Sequence, residues 1–272
     1  MFQKTIKKSI KFKGVGIHTG ETVDVKLNPL PVNSGVVFKR NNDYFKLSVD
    51  SIFSTKRSMV IGNETNNIKT IEHLIAALYM AEISNILVEV KGGEIPIMDG
   101  SALSFFKLLN SAVIVAQTAE VPVISLKKPV VFEAADKFVA AIPSDRFGVS
   151  YTVDFPHPEL RNRTVVIQNI TKKVFKKQIA PARTFGFLEE VEQLRKNGLA
   201  LGGSLKNAVV LTSTGYLNKK LRFKDECVRH KILDLIGAVS ILGKRINSFF
   251  VAYKSGHSLD FELIKKINSI VN

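Results

Sequence analysis

Two stretches of this chain repeat one order of elements, and that repetition constrains the fold more than any other feature. In the first, TIEHLIAALYMAE places Ile71, Leu74, Ile75 and Leu78 at i, i+3, i+4 and i+7. The spacing predicts an amphipathic helix, with Thr70 as its N-cap. A strand, NILVEV (Asn85–Val90), follows, then a Gly-Gly and Pro-containing loop and a helix near Ser101–Leu109. In the second stretch, Val228, Ile232, Leu235, Val239 and Leu242 mark a helix. The strand NSFFVAY (Asn247–Tyr253), a Ser-Gly turn and a last helix, Ser258–Ile267, come after it. Upstream of the first unit, Thr22–Leu27 alternates as a strand and Gly35–Arg40 follows after Asn/Pro punctuation.

The two stretches also match in detail. Glu72-His73 opens one long helix and Arg229-His230 sits near the start of the other. Each following strand ends in Lys-Gly or Lys-Ser-Gly, and the closing helices end alike, in LLNS and KINS. A duplicated α+β unit follows: two halves, each a β-sheet layer with packed helices, the helix layers facing each other. The halves divide near Gln117–Val121, giving domains 1–118 and 119–272, and His73 and His230 should meet near a pseudo-twofold axis.

Composition narrows the function. Hydrophobic residues at 45% and charged residues at 23% exclude a wholly disordered chain. The 39 basic against 24 acidic residues, +15 net, suit an anionic partner or a Lys-rich solvated surface. Cys227, the one cysteine, excludes intrachain disulfides and every thiolate-cluster zinc site, so a metal must use His and carboxylates. No signal peptide reads at the N-terminus, and the longest apolar stretch, Leu74–Ala81, is far short of a bilayer span of about 18 residues. These features predict a soluble cytoplasmic protein.

Chemistry concentrates in few residues. Of five histidines, His73 follows Glu72 at a helix start, and His230 has Asp234 at i+4 on the same helix face. His257 lies in the strand-to-helix turn of the second half. His73, His230 and Asp234 would leave one position of a tetrahedral zinc open, with Glu72 beside a ligand as general base. An i,i+4 surface pair and a buried structural His73 are the alternatives. GVGIHTGE (Gly14–Glu21) matches no phosphate-loop pattern and reads as a tight strand connection. LGGSLKN (Leu201–Asn207) is either a turn or a close backbone approach to a ligand. ARTFGFLEEVEQLRKNGLALGGS reads as a helix with Phe185, Phe187, Leu188, Val191 and Leu194 in a stripe, facing either a core or a greasy ligand.

These motifs resemble one family, the UDP-3-O-acyl-N-acetylglucosamine deacetylases. The resemblance rests on KGVGIHTGE (Lys13–Glu21), TIEHLIAAL (Thr70–Leu78), GGEIPIMDGSA (Gly92–Ala102), ARTFGFLEEVEQLR (Ala182–Arg195), LALGGSLKNAVV (Leu199–Val210), VRHKILDLIG (Val228–Gly237) and GHSL (Gly256–Leu259). It implies an α+β protein with a small insert in each half, the second insert, near 186–204, forming a passage for an acyl chain. It implies one Zn2+ per chain, or Fe2+ in the cell, on His73, His230 and Asp234. Glu72 would be the general base, His257 the acid or electrostatic residue and Thr184 the oxyanion donor, with Lys231, Phe185 and Gly203 near the substrate. The implied reaction is hydrolysis of the N-acetyl group of UDP-3-O-acyl-N-acetylglucosamine, a committed step of lipid A biosynthesis. The diphosphate substrate gives the basic excess a purpose. The expected protein is a monomer with no nucleic-acid partner and at most transient membrane association.

One position departs from the family. Where it usually carries Asp, four residues past the ligand Asp, this chain has Ala238. That Asp would pair with the catalytic His, so either another acid, Asp260 or Glu262, takes over or activity suffers. A non-catalytic relative, a basic RNA-binding protein and an amidohydrolase of another substrate are the competing readings. The five retained residues, and the lack of aromatic or Arg-rich RNA motifs, speak against the first two.

Overall fold

The computed structural model describes residues 1–271. Two sheets carry the same strand order. In the first half it runs Ile10–Val15, Thr22–Pro29, Ile86–Lys91, Val36–Arg40, Asp43–Lys46. In the second it runs Val130–Ala134, Lys137–Pro143, Arg245–Tyr253, Gly148–Val153, Arg163–Ile167, with Val123–Ser125 also pairing alongside Arg245–Tyr253. Directions match as well: neighbours are antiparallel except the third and fourth strands, which are parallel in both sheets. The α+β architecture with two facing helix layers is therefore as the repeat predicts. At the N-terminus, Phe2–Ile6 pairs antiparallel with Ile114–Glu120, the segment between the halves.

Alternation decides which sheet face is buried. Val23, Val25 and Leu27 point inward from one strand, and Ile246, Ser248, Phe250 and Ala252 from another. The two inner faces are covered by helices. One, Glu72–Met80, is buried everywhere except Tyr79; the other, Glu226–Ser240, everywhere except Arg229 and Lys231. A helix buried all round needs an apolar neighbour on every side. Each of these has its own sheet behind it and the other helix in front.

Gly237 sets how close the two helices come. A methyl group there would lie 2.8 Å from the Glu72 carbonyl oxygen, inside van der Waals contact. Glycine thus permits a close crossing, and the crossing falls at the start of the His73 helix. Thr70 is not the N-cap. Ile71 occupies that position without a side-chain cap, while Thr70, at φ 60°, donates its hydroxyl to Glu94 Oε1 at 2.8 Å. A buried carboxylate outcompetes the helix end for that hydroxyl, because a charge-assisted bond is the stronger one.

Each half interrupts its sheet with an insert before its long helix. The first holds three short strands, Ile52–Ser54, Val60–Gly62 and Asn67–Ile68. In the second, Phe185–Phe187 pairs parallel with Val209–Leu211 across the helix Leu188–Lys196. The stretch expected to be one helix is therefore a strand, a shorter helix and a loop. Phe185 and Phe187 leave the helix because pairing with Val209–Leu211 satisfies their backbone and turns both rings toward Phe155. The final helix starts at His257 rather than Ser258 and runs to Val271.

Candidate active site

Crossing at Gly237 brings the two histidines face to face. His73 Nε2 and His230 Nε2 are 3.3 Å apart, with ring centroids at 4.8 Å. Asp234 Oδ1 lies 3.4 Å from His230 Nε2 and 3.8 Å from His73 Nε2. The three side chains are buried and offer ligand atoms all within 4.8 Å of one another. They could hold a metal ion.

The donor set fits one. Two imidazole nitrogens and a carboxylate oxygen are gathered side by side, and Asp234 Oδ1 is buried without a hydrogen-bond donor. His230 Nδ1 faces the Ala182 carbonyl at 3.1 Å, which fixes its proton there and leaves Nε2 as a lone pair. Burial holds His73 down to about 3 and lowers His230 too, so both rings are neutral, the form a metal ligand needs. For Asp234 burial works the other way, but His230, Lys231 at 3.2 Å and the other two histidines outweigh it and keep the carboxylate ionised.

Glu72 stands at the edge of this group. Its Oε2 accepts the Met59 backbone N–H at 3.0 Å and its Oε1 lies 4.0 Å from His257 Nε2. Burial first, then the charge of Asp234, pushes its pKa up to about 8. His257 Nε2 is 3.9 Å from Asp234 Oδ2, and burial lowers that imidazole to about 4 against the pull of Asp234.

All these groups form the floor of a cavity of about 550 Å3. Thr184, Phe185, Gly203 and Lys231 line it, so the structure gathers every residue singled out from the sequence at one site. Lys231 also lies over the Phe185 ring, 5.6 Å from its centroid. Beyond them the wall is apolar: Phe155, Phe187, Leu188, Val191, Leu194 and Leu217. The aromatic and aliphatic stripe therefore faces a cavity and not a core, and Leu188–Lys196 has no buried residue.

Three features were missed by reading the sequence. His18 and Arg57 line the same cavity from the first half. Glu94, in the GGEIPIMDG stretch, accepts the backbone N–H groups of His18 and Thr19 and the hydroxyls of Thr19 and Thr70, which ties the GVGIHTGE loop to the site. That loop then bonds the opposite half, where Gly202 N–H donates to the Ile17 carbonyl and Leu201 N–H to His18. A methyl group on Gly202 would lie 2.2 Å from the Gly16 carbonyl oxygen, so LGGS serves close contact between loops. Of the remaining histidines, His157 is structural, its Nε2 on the Thr212 carbonyl and its Nδ1 accepting Glu159 N–H.

An α+β fold that closes a buried His–His–Asp group and a raised carboxylate under an apolar cavity defines a hydrolase able to use a metal ion. Residues 3–269 match the family UDP-3-O-acyl N-acetylglycosamine deacetylase (LpxC). A UDP-3-O-acyl-N-acetylglucosamine deacetylase of Leptospira biflexa is 41% identical over 274 residues, spanning 99% of this chain and 90% of its own. Those of Wolinella succinogenes and Oleidesulfovibrio alaskensis are 43% and 42% identical, each over 98% of this chain. The chain belongs to this family of deacetylases, hydrolases of UDP-3-O-acyl-N-acetylglucosamine in the committed step of lipid A biosynthesis. Among the described residues no helix is long and apolar enough to cross a membrane.

Proposed function

We propose that one Zn2+ on His73, His230 and Asp234 serves this deacetylation, with Glu72, His257 and Thr184 as the catalytic side chains. The observation that carries the reading is the buried three-ligand cluster with Glu72 beside it. Zinc held there supplies Lewis acidity, acidifying water and polarising a carbonyl. Glu72 takes the proton of the attacking water. Its position is fixed by Met59 N–H, so the basic oxygen stays aimed at the centre. Thr184, held by its backbone N–H on the Gly100 carbonyl, offers its hydroxyl to the developing oxyanion, and His257, in the lining of the same cavity, stabilises charge or protonates the leaving amine. Phe185 and Gly203 border the sugar, and the stripe from Phe187 to Leu194 takes the acyl chain.

The protein works as a cytoplasmic monomer that meets membrane only transiently, and its two units divide at 118/119 with the acyl passage near 186–204. The test is metal analysis joined to acetate release. The anaerobically purified protein should hold one equivalent of Zn2+ or Fe2+, lose acetate release to a chelator and regain it with Zn2+. His230→Ala should hold none. Acetate release that survives full metal removal would refute the reading.

Arg57 and His18 suit the diphosphate. Arg57 is exposed, lines the cavity and pairs with no carboxylate among the described residues. Burial, opposed by Glu94 and helped by Lys69 and Arg57, lowers the pKa of His18. Arg57→Ala is expected to raise KM about tenfold, the loss of one charge-assisted contact, with kcat unchanged. Steady-state kinetics on the UDP substrate check this.

A further inference from the structure

Positive charge is unevenly spread over the surface. Lys172–Val174 and Phe175–Ile179 continue as one helical segment, opened by Thr171, whose hydroxyl accepts the Val174 N–H at 3.2 Å. Phe175 and Ile179 are buried, and the Phe175 ring packs edge-on against Phe106 at 5.3 Å. That decides what faces out. Lys172, Lys173, Lys176 and Lys177, at i, i+1, i+4 and i+5, are all exposed on one side of the segment. Lys172 Nζ lies 5.8 Å from the centre of the Phe106 ring, and the next residue of that helix, Leu103–Ser111, is the exposed Lys107. None of these five lysines pairs with a carboxylate among the described residues. Glu82, the acid that feels the Lys172 charge, is paired with Lys4. Val113, just past the Lys107 helix, is 63% exposed, and its carbonyl accepts the N–H of exposed Lys7 at 2.7 Å. The other lysine-rich face is built differently. On the outer side of the first sheet Asp24 stands opposite both Lys13 and Lys91, and Glu89 opposite Lys26 and Lys39. Acids there offset the lysines locally, in cross-strand pairs.

We propose that the face of Lys107, Lys172, Lys173, Lys176 and Lys177 is a docking surface for an anionic phospholipid bilayer. It rests on the reading that the protein meets membrane transiently, and it says where. A cluster of lysines without acids on one helical face is what an anionic leaflet attracts. The segment exposes no aromatic side chain to stack a nucleic-acid base or to anchor a protein partner, since Phe175 is inside. The family's substrate is an acylated molecule and the cavity wall beside the site is apolar, so an enzyme resting on a bilayer meets its substrate where acyl chains collect. The segment also abuts the site. The Gln178 carbonyl accepts Arg229 Nη1 at 2.9 Å, and the Ala182 carbonyl faces the His230 ring.

Sedimentation of the zinc-loaded protein with vesicles tests this. The vesicles are one part phosphatidylglycerol to three parts phosphatidylcholine, or phosphatidylcholine alone. The wild type should bind the mixed vesicles and not the neutral ones. Binding should fade with added salt as the Debye length shrinks from about 10 Å at 0.1 M. Each lysine near an anionic surface is worth about fivefold in partition. Lys172→Gln, Lys173→Gln, Lys176→Gln and Lys177→Gln together should therefore lower the partition coefficient about 10²-fold or more. Lys173→Glu with Lys177→Glu makes the same change of charge with two substitutions and should lose as much. Lys11→Gln, Lys13→Gln, Lys26→Gln and Lys91→Gln together remove that charge from the sheet face and should cost about threefold or less. All three variants should release acetate from a short-acyl substrate in solution at the wild-type rate. Equal losses from the two faces would show that net charge alone drives binding, and would overturn the proposal. So would undiminished binding by the variants of the Lys172 segment. A wild type that ignores anionic vesicles would remove the membrane reading itself, and the docking face with it.

Discussion

Glu72→Gln should lower kcat for acetate release by about 10²–10⁴-fold with metal content unchanged, the scale of a lost general base. The glutamine keeps the shape and can still accept Met59 N–H, so folding and the neighbouring ligand His73 are preserved. What it loses is the proton acceptor. Burial and the Asp234 charge hold the Glu72 pKa at about 8, so at neutral pH the isolated side chain is mostly protonated and acts as a base only once ionised. A bound dication brings that value down, because it favours the carboxylate. The rate should therefore rise with pH through the ionisation of Glu72, with the acid limb below pH 8. In Glu72→Gln the residual rate should lose that limb. A variant whose kcat stays within a few-fold of wild type, or which keeps the limb, would remove Glu72 from the role of base.

The second large effect is on stability. Arg183 and Glu226 form a buried ion pair just before Thr184 and at the start of the His230 helix. Nε donates to Oε1 at 2.8 Å and Nη2 to Oε2 at 3.1 Å, while Glu226 also accepts the backbone N–H of Arg183 and of Arg222. Glu226→Ala strands a guanidinium inside the protein and should cost about 3–5 kcal/mol, read from denaturant unfolding. Replacing both partners, Arg183→Met with Glu226→Leu, should recover part of that, since no charge is then left unpaired while the backbone N–H groups of Arg183 and Arg222 still lose their acceptor. Burial pushes the Glu226 carboxyl up, but the Arg183 and backbone bonds overcome it and hold the pKa below the ordinary 4.5. The pair's contribution is thus present above pH 4.5 and is lost as pH falls through the lower folded value. The Glu226→Ala protein should lack that part of the acid slope. Equal stability of single variant and wild type would refute the argument.

Much of the site was legible because its chemistry is local in sequence. His230 and Asp234 are four residues apart on one helix, so periodicity alone puts them on one face. Glu72 and His73 are adjacent, and their place at a helix start followed from the apolar spacing behind them. The strand–helix boundary at Phe187 was not legible. A Phe/Leu/Val stripe satisfies a helix and a cavity-lining strand equally, and only the partner strand Val209–Leu211 decides between them. Nor was the fate of Thr70. Its hydroxyl goes to Glu94, 24 residues away, and no local rule weighs a helix cap against a distant buried carboxylate.

By itself the sequence determined two repeated halves, the facing helix layers and the set of chemically able side chains, because patterning of apolar residues fixes which faces must be buried. Tertiary structure alone decided the distances. Gly237 lets two helices cross closely enough to put His73 and His230 within 3.3 Å, and the two glycine loops lock across the halves. It also decided which acid of the last helix is inside, burying Asp260 and leaving Glu262 at the surface. Such choices depend on packing between segments far apart in the chain, where a shift of one ångström separates a ligand cluster from two ordinary buried histidines.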